Sequence, residues 1–339
     1  MKLIAAMSGG VDSAVAAARA VEAGHDVIGV HLALAANPQK YRSGARGCCT
    51  IEDSHDARRA ADVIGIPFYI WDMAQEFHDG VVENFLSEYS AGRTPNPCLR
   101  CNEKIKFAAV LDRARAMGFD GVVTGHYANT RESENGKTLH RAVDHSKDQS
   151  YVLSVLTIEQ IEGAIFPLGD TTKVDIRAEA EARGLAVAQK PDSHDICFVP
   201  SGDNAGWLRD RLGSEVGPIV DQEGKKIGEH KGAYTYTIGQ RKGLGIALGQ
   251  PMYVTRILPE SNTVMLGTEE ELQQSSARVR SLNLVKYESI QEPLEAITKI
   301  RYKDAGTMSS IVQEGNEMRI DFHHAVSGVA PGQSAVFYE

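Results

Sequence analysis

The feature that most constrains the fold is a glycine-rich turn near the amino terminus. An apolar segment, residues 2–7, runs into Ser8-Gly9-Gly10-Val11-Asp12-Ser13, and an alanine-rich segment follows from Ala14 to Ala23. The apolar run is typical of a buried strand, and alanine has the highest helix propensity. A buried strand that turns through glycines into a helix predicts a parallel sheet covered by helices.

The residues of this turn are suited to binding phosphate. Glycines let the backbone approach an anion closely, and the N–H groups at a helix start attract negative charge. Ser8 and Ser13 add hydroxyl donors, whereas Asp12 would repel a phosphate unless Mg²⁺ or a lysine lies between them. The turn matches neither G-x-x-x-x-G-K-[ST] nor G-x-G-x-x-G. It therefore predicts a phosphate site of another class, with an ordinary capped βα turn as the alternative.

The chain changes character near residue 205. Before it, apolar runs alternate with helical segments, which predicts a mostly parallel sheet with both faces covered. After it, glycines cluster and short β-rich runs predict small antiparallel barrels or sandwiches. The predicted strands are 26–34, 68–71, 121–124, 234–238, 252–257, 263–266, 277–285, 296–302, 308–313, 317–322 and 334–337, and the predicted helices are 53–64, 76–90 and 103–117.

The charge balance excludes one class of nucleic-acid binder. The 339 residues include 36 Lys and Arg and 45 Asp and Glu, for a net charge of −9. Such a chain cannot hold nucleic acid through overall basicity. Basic residues nevertheless concentrate between Arg93 and Arg115 and between Lys225 and Arg256. Nucleic-acid binding would require these two stretches to form one positive face.

Nothing in the sequence predicts export or membrane insertion. No window of about 18 apolar residues occurs, and MKLIAAMSGG lacks the longer apolar stretch and cleavage site of a signal peptide. The five cysteines are too few, and odd in number, for a secreted disulfide framework. We expect a cytoplasmic protein without membrane contact, whose thiols have chemical or metal roles.

Three cysteines lie in motifs that favour chemistry. Cys98 and Cys101 lie in TPNPCLRCN, just before a predicted helix with Arg100, Lys104 and Lys106 beside them. Positive charge and a helix start both stabilise the thiolate. Cys197 lies in DSHDICF, and no fourth ligand has the spacing of a zinc site. Two chemistries stay open, a persulfide relay and an iron–sulfur cluster. Cys48 and Cys49 are interpreted as structural, and the lone histidines His55, His126 and His194 as ordinary surface or core residues.

Taken together, the motifs are similar to those of a known family. SGGVDS resembles the PP-loop of the ATP pyrophosphatases, which cleave ATP between the α and β phosphates and adenylate a carbonyl oxygen. The whole set resembles the bacterial tRNA-uridine 2-sulfurtransferases, or tRNA-specific 2-thiouridylases, from residue 3 to about residue 302. The motifs are SGGVDS, CCTIEDSHDAR, TPNPCLRCN-x-x-IKF, GHYA, KDQSYVL, FPLGD-x-T-K, DSHDICF and HKG-x-YTYTIGQRKGL.

The resemblance implies an activity and an architecture. The activity is ATP-dependent 2-thiolation of the wobble uridine in tRNA, through adenylation of the uracil 2-carbonyl and replacement of its oxygen by sulfur. The implied cofactors are ATP and Mg²⁺, and the implied partners are tRNA and a sulfur donor such as a cysteine desulfurase or relay protein. The expected domains are an α/β PP-loop domain at 1–204, a central β-rich domain contacting tRNA at 205–270 and a C-terminal β-barrel at 271–339.

The resemblance also assigns roles to individual residues. Cys101 matches the nucleophilic cysteine, and Cys197 matches the cysteine that carries the persulfide and later forms a disulfide with Cys101. The implied ATP-binding residues are Ala6, Met7, Ser8, Gly9, Gly10, Val11, Asp12, Ser13, Leu32 and Gly125. The implied tRNA-binding residues are Asn96, Pro97, Cys98, Lys147, Asp148, Gln149, Arg301 and Tyr302.

Cys98 departs from the best-known form of the family, in which an aspartate with an acid–base role occupies this position. A thiol has an ordinary pKa near 8.5 against about 3.9 for aspartate, so it is a poor replacement. Cys98, Cys101 and Cys197 could instead hold an iron–sulfur cluster, and both schemes stay open. The alternative functions are a PP-loop ligase that adenylates a small-molecule carbonyl, and a non-catalytic RNA-binding protein with structural ATP.

Overall fold

The computed structural model describes residues 1–35, 50–192, 196–199, 202–246 and 249–339. Cys48, Cys49 and His194 lie outside these ranges. The described chain forms two compact units: the first contains residues 1–82 and 97–202, and the second contains residues 83–96 and 203–339. Among all the described residues, no helix is both long and apolar enough to cross a membrane.

Short helices and strands make up both units. The α-helices are α1 (Val11–Glu22), α2 (Ile51–Ile64), α3 (Ala74–Phe77), α4 (Glu83–Ser90), α5 (Pro97–Cys101), α6 (Val110–Ala116), α7 (Ser150–Leu153), α8 (Ile158–Glu162), α9 (Lys173–Ala182) and α10 (Asn204–Leu212), with π-helices at His78–Val82 and Asn102–Ala109. The strands are β1 (Lys2–Ala6), β2 (Asp26–Ala33), β3 (Phe68–Asp72), β4 (Gly121–Val123), β5 (Ala128–Ser133), β6 (Gly136–Arg141), β7 (Ala164–Ile165), β8 (Gly217–Val220), β9 (Lys226–His230), β10 (Tyr253–Leu258), β11 (Thr263–Gly267), β12 (Gln273–Arg280), β13 (Leu294–Lys299), β14 (Thr307–Glu314), β15 (Glu317–Ser327) and β16 (Val336–Tyr338).

The first unit contains the predicted parallel sheet, which is confirmed. Its strand order is β3-β2-β1-β4-β7, and every neighbouring pair is parallel. The chain builds outward from β1 in one direction through β2 and β3, and then in the other through β4 and β7. Such a sheet opens a crevice between the carboxyl ends of β1 and β4, where ligands bind in open α/β folds.

Alanines let α1 pack tightly in this unit. Ala14, Ala16, Ala17, Ala18 and Ala20 are all buried, since α1 contacts β1, α2 and α9. Small side chains allow three neighbours to approach one helix closely. Arg19 is the polar exception, and its guanidinium donates to Glu179 on α9 (2.6 Å) and to the carbonyl of Pro167 (2.8 Å). The alanine-rich sequence thus fixes the helix that follows the glycine turn.

The second unit is built from two β-sheets, as the change of sequence character predicted. The sheet β10-β11-β8-β9 is mixed, because β11 and β8 are parallel, and the sheet β12-β15-β14-β13-β16 is antiparallel. The strand predicted at 234–238 is wrong. Residues Ala233–Thr235 form a 3₁₀ turn between Gly232 and Gly239, both at positive φ, where an extended chain cannot continue. The predicted strand at 277–285 ends early, at Arg280.

Residues 83–96 pack within the second unit. Phe85 on α4 contacts the Trp207 ring edge-on, with centroids 5.8 Å apart. The Thr94 N–H donates to the carbonyl of Pro331 (2.7 Å), and the Thr94 carbonyl accepts from Gln333 Nε2 (2.6 Å). The segment leading to the Cys98 motif is therefore held by the C-terminal part of the chain. The domain boundaries near 204 and 270 stay predictions.

Candidate active site

Two loops meet at the crevice of the parallel sheet. One is the glycine turn after β1, and the other contains Gly125 after β4. A Cβ atom on Gly125 would lie 2.6 Å from the carbonyl carbon of Asp12 and 2.6 Å from the backbone nitrogen of Ser13. Only glycine permits this approach. The structure thus places Gly125, a predicted nucleotide contact, against the first turn of α1.

The glycine turn is held open by its own hydroxyl groups and by α2. Gly9 has φ +80, and a Cβ there would lie 2.1 Å from the carbonyl oxygen of Asp53. Ser13 Oγ donates to the Gly10 carbonyl (3.0 Å) and accepts from the Ser8 N–H (3.2 Å). Gly10 is the N-cap of α1 and has no side chain to satisfy its first N–H groups. The turn therefore keeps backbone donors available for an anion.

A buried lysine neutralises Asp12, as the sequence required of a phosphate site. Lys173 Nζ donates to both carboxylate oxygens of Asp12 (2.7 and 2.6 Å), and Tyr127 OH donates to Oδ1 (2.7 Å). Burial raises the pKa of the Tyr127 phenol, and the charge of Asp12 raises it further. Lys173 is the first residue of α9, and its side chain is only 9% exposed. The motif FPLGD-x-T-K ends on this lysine, but its sequence gave no reason to pair it with Asp12.

Asp192 is the second carboxylate bound to Lys173. Its Oδ1 lies 2.9 Å from Lys173 Nζ and 3.0 Å from Arg177 Nη2, and its Oδ2 lies 2.8 Å from Lys147 Nζ. Burial acts to raise the pKa of Asp192, but hydrogen bonds from Lys147 and Lys173 outweigh it and lower the pKa to about 2. Asp192 is therefore an anion throughout the physiological range.

Lys190, two residues before Asp192, contacts the glycine turn and α2. Its Nζ donates to the Gly9 carbonyl (2.9 Å), to Asp53 Oδ1 (2.6 Å) and to Asp56 Oδ2 (2.6 Å). Burial acts to lower the pKa of Lys190, but these carboxylates raise it overall. Sequence reasoning missed Tyr127, Lys173, Lys190 and Asp192. Tyr127, Lys173 and Asp192 lie in the motifs GHYA, FPLGD-x-T-K and DSHDICF, which was the available signal, whereas Lys190 lies outside all of these motifs.

The CxxC cysteines lie on one short helix. Cys98 and Cys101 are both in α5, which continues into the π-helix Asn102–Ala109. Cys98 is exposed, whereas Cys101 and Cys197 are partly buried. The ring of Phe198 contacts Phe77 edge-on at 5.7 Å, and the helix of Phe77, α3, packs against that π-helix. The segment of Cys197 is thus linked through α3 to the helix that follows Cys101.

The positive charge expected beside these thiols is partly neutralised. Arg100 Nη1 lies 2.7 Å from Glu103 Oε2, and Lys104 Nζ lies 2.8 Å from Glu103 Oε1. Lys106 Nζ lies 3.4 Å from His126 Nε2. Two of the three basic side chains therefore share one acidic partner.

Comparison with known proteins identifies the family. A family model described as the tRNA methyl transferase HUP domain matches residues 1–201, the tRNA methyl transferase PRC-barrel domain matches 205–268, and the aminomethyltransferase beta-barrel domain matches 274–339. The "tRNA-specific 2-thiouridylase MnmA" of Acidothermus cellulolyticus is 56% identical over 346 residues, covering 100% of this chain and 94% of that protein. The protein of the same name from Thermobifida fusca is 59% identical over 345 residues, covering 100% and 93%.

The chain belongs to the tRNA-specific 2-thiouridylase family. This confirms the predicted family and the predicted order of an α/β domain followed by two β domains. Among solved structures, a 4-thiouridine synthetase in complex with RNA and ATP is 17% identical, with a TM-score of 0.36 over 59% of this chain and 45% of that one. A likeness this slight bears on nothing further.

The side chains present fit a Mg²⁺ ion better than an iron–sulfur cluster. In the described ranges, which include Cys98, Cys101 and Cys197, no three His, Cys, Asp or Glu side chains gather as metal ligands. The three cysteines therefore do not form a ready cluster site. Asp12 is the carboxylate of the glycine turn, and Mg²⁺ is commonly held by one or two carboxylates together with substrate phosphates. The residues thus fit an ion that arrives with ATP.

His126, next to Gly125, is a buried neutral histidine. Its Nε2 faces the Lys106 ammonium, which has only donors, so Nε2 must be the acceptor. The proton then lies on Nδ1, which donates to Thr124 Oγ1 (2.8 Å). Burial lowers the pKa of His126 well below its usual value, and the charge of Lys106 lowers it further. His126 is therefore a satisfied core histidine at the end of β4.

Acidification should destabilise the first unit through His126. Below about pH 6.5 the unfolded chain binds a proton at this residue and the folded chain does not, so stability falls by up to about 1.4 kcal/mol per pH unit. His126→Asn keeps a polar group near Thr124 and should flatten the dependence of the melting temperature between pH 7.5 and 5.5. His55→Asn, an exposed residue of α2, is the matched control. Equal slopes for wild type and His126→Asn would contradict this account.

The predicted tRNA-binding residues occupy different environments. Asp148 is buried, and its carboxylate accepts from Ala142 N–H (3.0 Å) and Ser150 Oγ (2.8 Å). Gln149 Oε1 accepts from the Tyr127 N–H (2.9 Å). Gln149 thus holds the backbone of Tyr127, and Asp148 holds that of Ala142. The side chain of Lys147, by contrast, is 38% exposed. Asn96, Arg301 and Tyr302 lie in the second unit.

Leu32, the predicted neighbour of adenine, is a buried residue of β2. The next residue back, His31, is also buried, and its Nδ1 lies 2.9 Å from the carbonyl oxygen of Met7. This hydrogen bond joins β2 to the start of the glycine turn. The role of Leu32 in adenine binding stays a prediction.

Proposed function

We propose that this chain transfers sulfur to carbon 2 of the wobble uridine in tRNA, with cleavage of ATP to AMP and pyrophosphate. The observation that carries the proposal is the glycine turn, with Lys173 on Asp12, in the same unit as Cys98, Cys101 and Cys197. The curated relatives carry the name of a tRNA 2-thiouridylase. The family-model descriptions name methyl transfer instead, but reactive cysteines are what sulfur transfer requires.

The first step activates the uracil carbonyl. Oxygen 2 of uracil attacks the α-phosphorus of ATP, the bond to the β-phosphate breaks, and pyrophosphate leaves. The backbone donors of the glycine turn and the ammonium of Lys173 would stabilise the charge that develops on the leaving group. Asp12 would hold a Mg²⁺ ion brought with ATP, which supplies further neutralisation of phosphate charge.

The second step replaces the activated oxygen by sulfur. The terminal sulfur of a Cys197 persulfide attacks carbon 2, and AMP leaves with the original oxygen. The Cys101 thiolate then attacks Sγ of Cys197, which forms a Cys101–Cys197 disulfide and leaves the terminal sulfur on the base. A thiol reductant restores both cysteines. A sulfur donor protein, a cysteine desulfurase or a relay protein, regenerates the persulfide.

Docking of tRNA would use basic residues of the second unit. Lys225, Lys231, Arg241, Lys242 and Arg256 are all exposed, and Lys226 pairs with Glu229 at 2.7 Å. Exposed lysines and arginines bind phosphates and release counterions. Binding of tRNA should therefore weaken steeply with salt.

The ranges matched by the three family models support domain boundaries near 204 and 270.

One assay tests the function. Purified protein is incubated with ATP, a sulfide source and unmodified tRNA, and the nucleosides are analysed by mass spectrometry. The expected product is 2-thiouridine, with one AMP released per modified base. AMP release with a small acceptor and no tRNA would instead indicate a ligase. ATP binding without pyrophosphate release would indicate a non-catalytic RNA-binding protein.

The role of Cys98 separates the relay from a cluster mechanism. In the relay Cys98 is not an essential sulfur carrier, so Cys98→Ser should keep substantial thiolation when a persulfide donor is supplied. Cys101→Ser, on the same helix, is the matched comparison and should lose it. Protein purified anaerobically should be colourless and active. A brown, iron-containing protein whose activity depends on Cys98 would replace the relay with a cluster held by the three cysteines.

A further inference from the structure

The ammonium group of Lys173 has no donor left for a ligand. A lysine has three N–H donors. Two of them reach Asp12 Oδ1 and Oδ2 (2.7 and 2.6 Å), and the third faces Asp192 Oδ1 (2.9 Å). A phosphate oxygen at the glycine turn can bind Lys173 only by replacing one of these carboxylate contacts.

Of the two carboxylates bound to Lys173, Asp192 can release the lysine at the lower cost in free energy. Its carboxylate keeps Lys147 (2.8 Å) and Arg177 (3.0 Å) when Lys173 turns away. Its side chain is also 41% exposed, so water can solvate it. Asp12 is held more firmly, because it shares two bonds with Lys173 and accepts a third from Tyr127 OH (2.7 Å). Exchange at Asp192 therefore loses one contact of a carboxylate that retains two others.

We propose that Asp192 is a built-in competitor of the ATP phosphates for Lys173, so that it limits the affinity of the enzyme for ATP. The Asp192 carboxylate neutralises a lysine whose side chain is only 9% exposed, so a phosphate oxygen that binds Lys173 must compete with it. ATP displaces it, and Asp192 is then held by Lys147 and Arg177. This inference rests on the proposed function, since it takes ATP to bind at the glycine turn.

Competition by Asp192 predicts that a mutation which removes its charge will increase the affinity for ATP. Asp192→Asn removes the competing charge, so ATP should bind about 3- to 10-fold more tightly in the absence of tRNA, as expected for loss of one partly exposed ionic contact. A residue that merely supported the site would weaken ATP binding when replaced. Asp192→Ser, of different shape, should change affinity in the same direction.

Lys147 provides the opposite test. It is one of the two cations that keep Asp192 after exchange, so Lys147→Met should strengthen the Asp192–Lys173 contact and weaken ATP binding. If Lys147 acts only through Asp192, it should have no effect in the double variant Asp192→Asn/Lys147→Met. Asp170→Asn is the charge control, because it removes the same charge from a side chain that is 79% exposed and in contact with Arg19 rather than Lys173.

The experiment is calorimetric titration of each full-length variant with a non-hydrolysable ATP analogue in Mg²⁺ buffer, with melting temperatures measured in parallel. Tighter binding by Asp192→Asn and Asp192→Ser, with Asp170→Asn within twofold of wild type, is the expected result. Unchanged or weaker binding by both folded Asp192 variants overturns the competitor role. Failure of the wild-type protein to bind the analogue, or to thiolate tRNA, would contradict the proposed function instead, which keeps the two failures distinct.

Discussion

Replacing Cys197 by serine is expected to abolish 2-thiouridine formation while tRNA-dependent AMP formation continues. A serine hydroxyl cannot carry a persulfide, so thiolation should fall by at least about 10³-fold, as for loss of a catalytic nucleophile. Adenylation should survive, because the contacts of Asp12 with Lys173 and Tyr127 do not involve Cys197. The measurements are mass spectrometry of tRNA nucleosides and release of labelled pyrophosphate in the first turnover.

Cys101→Ser completes this test. It should also lose thiolation, since the proposed scheme uses the Cys101 thiolate to release sulfur from Cys197. Its adenylation should match that of Cys197→Ser, because both cysteines act after AMP is attached. Full thiolation by Cys101→Ser would rule out the disulfide step. Loss of pyrophosphate release in Cys197→Ser would show that Cys197 is needed earlier than proposed.

Replacing Lys173 by methionine is expected to lower the rate constant of AMP formation by about 10²- to 10³-fold, the usual effect of losing one preorganised electrostatic group. Two effects act in the same direction. The leaving pyrophosphate loses a cation, and Asp12 loses its ammonium partner while the hydrogen bond from the neutral Tyr127 phenol (2.7 Å) remains. Single-turnover measurements at saturating ATP separate this effect on the rate from any change in ATP affinity.

Lys137→Met is the matched control for this substitution. Lys137 is in the hairpin strand β6 and pairs with Glu162 (3.8 Å), so its loss removes one positive charge without changing the contacts of Asp12. Its rate constant should stay within about twofold of wild type, since a long, partly exposed ion pair contributes little. A Lys173→Met rate within threefold of wild type, with an unchanged melting temperature, would remove Lys173 from the chemistry.

Local sequence signals predicted the first unit better than the second. Strands β1 to β4 and helices α1 and α2 follow from apolar runs, alanine content and glycine stops, and the structure confirms them. The hairpin β5–β6 was missed because its residues are polar and half-exposed, without a buried alternating face. The predicted strand at 234–238 was wrong because the flanking glycines adopt positive φ and end the extended chain there.

The candidate site, like the fold, could be predicted from the sequence only in part. The glycine turn and the cysteine motifs were visible in sequence, because their chemistry depends on residues that are neighbours in the chain. The requirement that Asp12 be neutralised was also visible, but the lysine that does so was not. Polarisation of the basic stretches 93–115 and 225–256 into one face stays a prediction.

The sequence by itself determined the glycine turn predicted to bind phosphate, the cysteine motifs and the order of an α/β part before β-rich parts, because each depends on local periodicity, propensity or spacing. Only the tertiary structure decided which charges meet. Lys173 reaches Asp12 across 161 residues of sequence, and Lys190 reaches the Gly9 carbonyl across 181. Such pairs carry no local signal. They form because α9 packs against α1 and Lys190 reaches the glycine turn, which brings partly buried charges within hydrogen-bonding distance, where each is neutralised by a partner.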